Sequence, residues 1–269
     1  MANPIKKALR DPRKAVLVAR ERLLNGYVKL HNGLRGAPRT PARPSGVAAF
    51  EEVRRFATRR SDINEHLPRL FVESLRMQPR LIVELGVRGG ASTFVFERVA
   101  QRCDAALVSV DIEDCTQASS YPHWHFVQSD DVAFAERFPA WCAEHNLPAA
   151  IDVLFIDTSH VYEHTVAEIN AWFPLLAARA LVFFHDTNQQ LLYTRDDKSI
   201  GQGWDNDRGV IRALEQYFNQ AFNEQVDFAH VEPGWLIRHH ARCNGLTILE
   251  QVEMEGAKGE ERGARGENH

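Results

Sequence analysis

The run Leu81-Ile82-Val83-Glu84-Leu85 is apolar but for one carboxylate. Gly86, Gly89 and Gly90 follow it, and then Ser92 and Thr93. A short apolar run between Arg80 and glycine has the pattern of a strand covered on both faces, which needs helices on either side of its sheet. The glycines let backbone approach a ligand with no Cβ in the way. Ser92 or Thr93 is placed to cap a helix, so free backbone N–H groups are expected beside a helix N-terminus.

Glu84 narrows the ligand. A turn that cradles a dinucleotide or nucleoside triphosphate keeps carboxylates away from the strand end, because they repel phosphate. Here a carboxylate stands two residues before the first glycine. It disfavours a pyrophosphate and suits a cation.

From residue 81 onward, strand and helix patterns alternate, the signature of a parallel sheet. Strands are expected at 81–85, 106–110, 124–128, 151–156 and 181–184, with helices at 91–103, 132–145, 161–177 and 208–221. Two or three last strands follow near 226–231, 235–239 and 246–250. Before the first strand, helices are expected at 47–60 and 62–77, the second capped by Ser61 or Asp62. The fold class is α/β: a doubly wound, mostly parallel, Rossmann-like sheet with an N-terminal helical extension. Residues 1–46 form a basic helical arm and linker, 47–251 the main domain, and 252–269 a glycine- and charge-rich disordered tail.

Charge separates the arm from the rest. Residues 1–45 hold eleven Lys/Arg against Asp11 and Glu21, a net of +9; the whole chain is −4, which leaves −13 for the remainder. That acidic balance argues against nucleic acid as a partner. A helix over 4–31, with Ile5, Leu9, Val16, Val18, Leu23, Leu24, Val28 and Leu30 as its apolar members, reads either as a weak contact to an anionic membrane surface or partner, or as an oligomer arm or packed helix. The irregular stripe favours the second, so a homo-oligomer is expected. Pro38, Pro41 and Pro44 make a linker. No apolar run approaches the ~20 residues of a membrane helix. Charges at Lys6, Lys7, Arg10, Arg13 and Lys14 exclude a signal-peptide core. The four cysteines form no C-x-x-C pair and read as reduced thiols, which points to the cytoplasm.

Ligands of open parallel sheets sit at the carboxyl ends of the strands. Those ends carry Glu84, Asp111, Asp130, Asp157, His185 and Asp186. Asp111, 27 residues after Glu84, can accept both hydroxyls of a ribose. Asp130, or its neighbour Asp131, can accept from an adenine amino group or cap the next helix. Asp157 and Asp186 end adjacent strands and can converge; two carboxylates in one cleft call for a proton or a cation. Oxygen ligands suit Mg²⁺, and His185, as a third ligand or an orienting group, would tilt the choice to Mn²⁺. His160 is placed to take a proton from a hydroxyl.

The segments Phe155-Ile156-Asp157-Thr158-Ser159-His160-Val161-Tyr162-Glu163 and Leu181-Val182-Phe183-Phe184-His185-Asp186 complete a pattern. With the glycine turn, residues from about 80 to 240 resemble the class I S-adenosylmethionine (SAM) O-methyltransferases. More narrowly they resemble the metal-dependent branch that methylates sugar hydroxyls, including macrolide and aminocoumarin tailoring enzymes. The resemblance implies SAM as cofactor, held by Glu84, Gly86, Gly89, Ser92, Asp111, Asp130 and Asp157. It implies Mg²⁺ or Mn²⁺ on Asp157, His185 and Asp186, and His160 as the base. The family often has two acidic residues after the fifth strand; here the first is His185. In the long polar loop 187–207 and just after it, Trp204 offers a stacking face, and Asp205 and Arg208 polar contacts, for a small-molecule or oligosaccharide acceptor. The alternatives are a catechol-type methyltransferase, an NAD-dependent oxidoreductase, against which Glu84 and the lack of a G-x-G-x-x-G spacing weigh, and a non-catalytic scaffold of the same fold.

Overall fold

The computed structural model describes residues 12–34, 45–203 and 206–252. Among the described residues, three helices precede the sheet: α1 (Pro12–Gly33), α2 (Ala48–Phe56) and α3 (Leu67–Met77). The core follows as β1 (Leu81–Leu85), α4 (Ala91–Cys103), β2 (Ala106–Asp111), β3 (Trp124–Gln128), α5 (Asp131–Glu144), β4 (Ile151–Ile156), α6 (Tyr162–Trp172) and β5 (Leu176–His185). A short hairpin, β6 (Leu192–Thr194) and β7 (Ile200–Gln202), leads to α7 (Gly209–Phe218), β8 (Phe228–Glu232), β9 (Trp235–His240) and β10 (Leu246–Gln251).

Eight strands form one sheet in the order β3-β2-β1-β4-β5-β10-β9-β8. The first five are mutually parallel, and β10, β9 and β8 pair antiparallel. The chain crosses from β1 to β2 on one side and returns to β4 on the other, so a crevice opens between the ends of β1 and β4.

Strand alternation sorts the core into two layers. Leu81, Val83 and Leu85 pack with Phe134, Phe138, Trp172 and Leu214 under α5, α6 and α7. Ile82 turns to the opposite face, where Leu70, Phe71, Phe96 and Val99 pack with Phe155 and Phe183. Burying a side chain such as Phe138 contributes about 2 kcal/mol.

Several boundaries differ from the sequence reading. The helix expected to run to 177 ends at Trp172, because Pro174 cannot continue it; a single 3₁₀ turn (Phe173–Leu175) leads into β5, which is longer than expected. The helices at 47–60 and 62–77 are shorter, and α3 starts after His66 rather than at Ser61 or Asp62. The Ser61 carbonyl instead accepts from the Arg195 guanidinium at 2.9 Å. The loop 187–207 contains the hairpin. The tail from 253 onward, the linker prolines and residues 4–11 of the arm lie outside the described residues.

Helix α1 packs on the hairpin through Asn32, whose carboxamide donates to the Ile200 carbonyl and accepts from the Ile200 N–H, both at 2.8 Å. Its outer side leaves Val16, Leu23, Tyr27, Leu30 and Leu34 exposed. No helix among the described residues is long and apolar enough to cross a membrane.

Candidate active site

The turn after β1 holds Gly86 at φ +88, and a Cβ there would lie 2.0 Å from the carbonyl oxygen of Asp157. The strand ends on either side of the crevice therefore touch through backbone. Beside them lies a cavity of about 410 Å³, lined by Gly86, Asp111, Asp130, Asp157 and Thr158, among others. That volume is in the range of sites for small molecules.

Asp111 shapes one wall. Its Oδ2 accepts from the Val87 and Arg88 N–H groups at 2.8 and 3.0 Å, and its Oδ1 from Glu113 N–H at 2.9 Å. Partial burial would raise its pKa, but these backbone donors outweigh that and lower it, so the carboxylate stays charged. Oδ2 is filled by its two donors, while Oδ1 keeps a lone pair for a ligand hydroxyl. Asp130 lines the cavity, and its Oδ1 caps α5 by accepting from Ala133 N–H at 2.8 Å.

Glu84 corrects the sequence reading. It shares a strand face with Ile82, is fully buried, and turns to α4 instead of the cavity. Its Oε2 accepts from Ser109 Oγ at 2.6 Å and Thr93 Oγ1 at 2.9 Å. Burial pushes its pKa up to about 7 against these hydroxyls and Ser92. Ser92 and Thr93 are thus partners of Glu84 and not caps: α4 begins at Gly90 with no side-chain cap. Gly89 is exposed on the turn and is not among the residues that line the cavity.

The chemistry gathers at the ends of β4 and β5. His160 Nε2 lies 3.0 Å from Asp157 Oδ1 and 2.9 Å from Asp186 Oδ2. His185 Nδ1 lies 3.1 Å from Asp157 Oδ1 and 3.4 Å from Asp186 Oδ1. Burial would lower the His160 pKa, but the two carboxylates push it up to about 9. His185, wholly buried, is raised by the same pair. Asp186 is lowered: burial opposes this, and the two imidazoles overcome it. The ligand atoms of Asp157, His160 and Asp186 lie within 4.8 Å of one another, a set that could hold a metal ion. His160, expected only as a base, therefore stands in the geometric cluster, whereas His185 borders it.

A second pocket of about 290 Å³ adjoins the cluster. His160 and Asp186 line it, with Asn25 of α1, Gln189, Gln202 and Asn244; Arg88 lines both pockets. No sequence pattern marked these carboxamides, since they come from four separate segments. Arg208, assigned to the acceptor from sequence, lines neither cavity; its guanidinium is held by Glu224 at 2.7 Å and Glu215 at 2.9 Å. Trp204 and Asp205 lie outside the described residues. Asp131, His164 and Glu168 form another cluster, with Asp131 and His164 on the wall of the larger cavity. The His164–Glu168 spacing was its only sequence signal.

Residues 83–187 match the model of a family described as a methyltransferase domain. No curated protein matches the chain. Among solved structures, the Bacillus cereus O-methyltransferase in complex with SAH is similar over 85% of this chain and 100% of that one, at 12% identity and TM-score 0.53. The SAH-bound Podospora anserina methyltransferase PaMTH1 matches over 87% and 96%, at 12% identity and TM-score 0.50. MycE, from the mycinamycin biosynthetic pathway, in complex with Mg, SAH and mycinamycin VI, matches over 70% of this chain and 49% of its own, at 18% identity and TM-score 0.43. The fold is similar to that of the Bacillus cereus and Podospora anserina methyltransferases. Residues 83–187 are thus similar to a methyltransferase domain and supply the parallel half of this sheet.

Proposed function

We propose that the protein is a SAM-dependent O-methyltransferase whose acceptor is a sugar hydroxyl. The observation that carries the proposal is the meeting of two cavities at one reactive cluster. Asp157 lines the cofactor-sized cavity, and His160 and Asp186 line the adjoining pocket. A methyl donor in the first would face a hydroxyl in the second.

The lining of the second pocket favours a sugar. Each of Asn25, Gln189, Gln202 and Asn244 offers both a donor and an acceptor, which matches a ring carrying several hydroxyls. A catechol would call for flat apolar walls, and among the described residues lining this pocket there is no Phe, Tyr or Trp.

In this mechanism, Asp111 accepts a ribose hydroxyl and Asp130 the adenine amino group. Gly86 keeps the turn close to Asp157. SAM supplies a methyl group activated by its sulfonium. The oxygen-rich set at Asp157 and Asp186 fits a divalent cation, Mg²⁺ or Mn²⁺, with His185 as a further ligand or an orienting group behind them. Such a cation would lower the pKa of a bound hydroxyl and stabilise the developing oxyanion. His160 accepts the hydroxyl proton at Nε2; it does so as the neutral imidazole, which is favoured once Asp157 and Asp186 have another cation to hold. Arg88 and the carboxamides orient the acceptor, and orientation accounts for much of the rate.

The test is His160→Ala, assayed for S-adenosylhomocysteine binding by calorimetry and for methyl transfer to a panel of glycosides with and without chelator. The expected result is unchanged nucleoside binding with turnover down by about 100-fold or more. Undiminished turnover removes His160 as the base, and turnover indifferent to chelation removes the cation.

A further inference from the structure

We propose that Asp131, His164 and Glu168 form a second cation site, which takes a transition-metal dication such as Zn²⁺ or Mn²⁺ where α5 meets α6. The three share no residue with the Asp157–His160–Asp186 cluster, and the site does not depend on what the enzyme methylates.

The placement comes from the helices. His164 and Glu168 are four residues apart on α6 and so lie on one face, a spacing that aims two ligands at one point. Asp131 opens α5 across from them. His164 Nε2 lies 3.0 Å from Asp131 Oδ1 and 3.8 Å from Glu168 Oε1. One ligand atom from each of the three falls within 4.8 Å of the others.

An independent observation points to a ligand. Glu168 is fully buried, and only its Oε1 is served, by Thr158 Oγ1 at 2.6 Å. Its Oε2 has no hydrogen-bond partner among the described residues, and neither has Oδ2 of the buried Asp131. Two carboxylates are thus enclosed together with one imidazole and one hydroxyl to answer them. Buried carboxylates in such proximity require a shared proton or a cation. Burial first, and Asp131 next, push Glu168 up to about 8. A cation in the cluster removes that penalty.

Two oxygens and one imidazole nitrogen suit a borderline transition ion better than Ca²⁺ or Mg²⁺. Asp131 and His164 line the 410 Å³ cavity, so the ion has a path from solvent. Asp131 directly follows Asp130 and packs against α6, so the ion would fix the wall beside the adenine end of the cofactor.

The experiment is metal titration of the stripped full-length protein with ZnCl₂ and MnCl₂. Bound ions are counted by mass spectrometry, and melting is followed with and without metal. The variants are His164→Ala, Glu168→Gln and Asp186→Asn, and the double variant His164→Ala with Asp186→Asn. His164→Ala should bind one ion fewer than wild type and lose the metal-induced rise in melting temperature, while Asp186→Asn keeps that rise. The double variant should lose both ions. If the proposed catalytic cation is absent, Asp186→Asn matches wild type and His164→Ala still loses an ion; that outcome sinks the catalytic cation and leaves this site standing. Equal ion counts in wild type and His164→Ala overturn the proposal. Glu168→Gln keeps the shape and the Thr158 contact, so it guards against misfolding. It should fold without metal and bind at least tenfold more weakly; unchanged affinity would mean that the carboxyl pair shares a proton instead.

Discussion

The carboxamide of Asn32 pairs with the backbone of Ile200 through both its nitrogen and its oxygen, each at 2.8 Å, across 168 residues of chain. A side chain on α1 thereby extends the hydrogen bonding of the hairpin. The same helix brings Asn25 to the pocket beside His160 and Asp186. Asn32→Ala should cost roughly 1–3 kcal/mol of local stability, the range for paired buried groups. Hydrogen exchange at Ile200 N–H should speed up, and acceptor KM should rise while S-adenosylhomocysteine affinity holds. Unchanged exchange at Ile200 would show that α1 is held by other contacts.

Gly86 combines a left-handed backbone with a contact that leaves no room for a Cβ. Gly86→Ala should therefore destabilise by about 2–4 kcal/mol. It should also abolish nucleoside binding, because Asp157 must move to make space. Denaturant melts and calorimetry on the same sample check both effects. A variant of wild-type stability that still binds would mean the turn relaxes freely.

Glu84 makes stability depend on pH. Burial lifts its folded pKa to about 7, above the ordinary glutamate value of 4.5, so the folded chain holds the proton more tightly than the unfolded one. This contribution is fully present below about pH 4.5 and is lost as pH rises through 7. Glu84→Gln removes the titration while keeping an acceptor for Ser109 and Thr93. Relative to that variant, wild type should lose up to ~3 kcal/mol between pH 4.5 and pH 8. Urea melts of the pair at both pH values give the difference directly, and a constant difference would place the titration elsewhere.

Asp111→Ala removes the proposed ribose acceptor and the acceptor of three backbone N–H groups. S-adenosylhomocysteine affinity should fall by more than ~10-fold, the worth of a charge-assisted hydrogen bond. Asp111→Asn, which keeps one acceptor oxygen, should fall in between. Equal affinity in all three would remove Asp111 from the cofactor site.

Strands 81–85 and 151–156 are legible to the residue, because short apolar runs ended by glycine or a carboxylate match strands covered on both faces. Their parallel order also put Asp111, Asp157 and Asp186 on one edge. Glu84 misleads because its place at the carboxyl end of a strand does not set which face its side chain takes; alternation turns it toward Thr93 and Ser109. The hairpin was not legible: its strands are three residues each and carry no alternation to read. The carboxamide lining was equally hidden, since Asn and Gln occur on any polar surface and only folding brings Asn25 to Asn244. Arg208 looked available in a polar loop, but Glu215 and Glu224 engage it.

His160 and Asp186 both adopt left-handed backbone, at φ +57 and +55. For side chains of this kind the conformation costs about 1 kcal/mol or more at each position. The surrounding sheet holds it, so the strain is stored while the chain folds and not when the ligand arrives. The groups proposed to act in methyl transfer are consequently preorganised. An enzyme built this way spends little on rearranging dipoles during turnover, and loosening either backbone position would slow the chemical step even with every side chain retained.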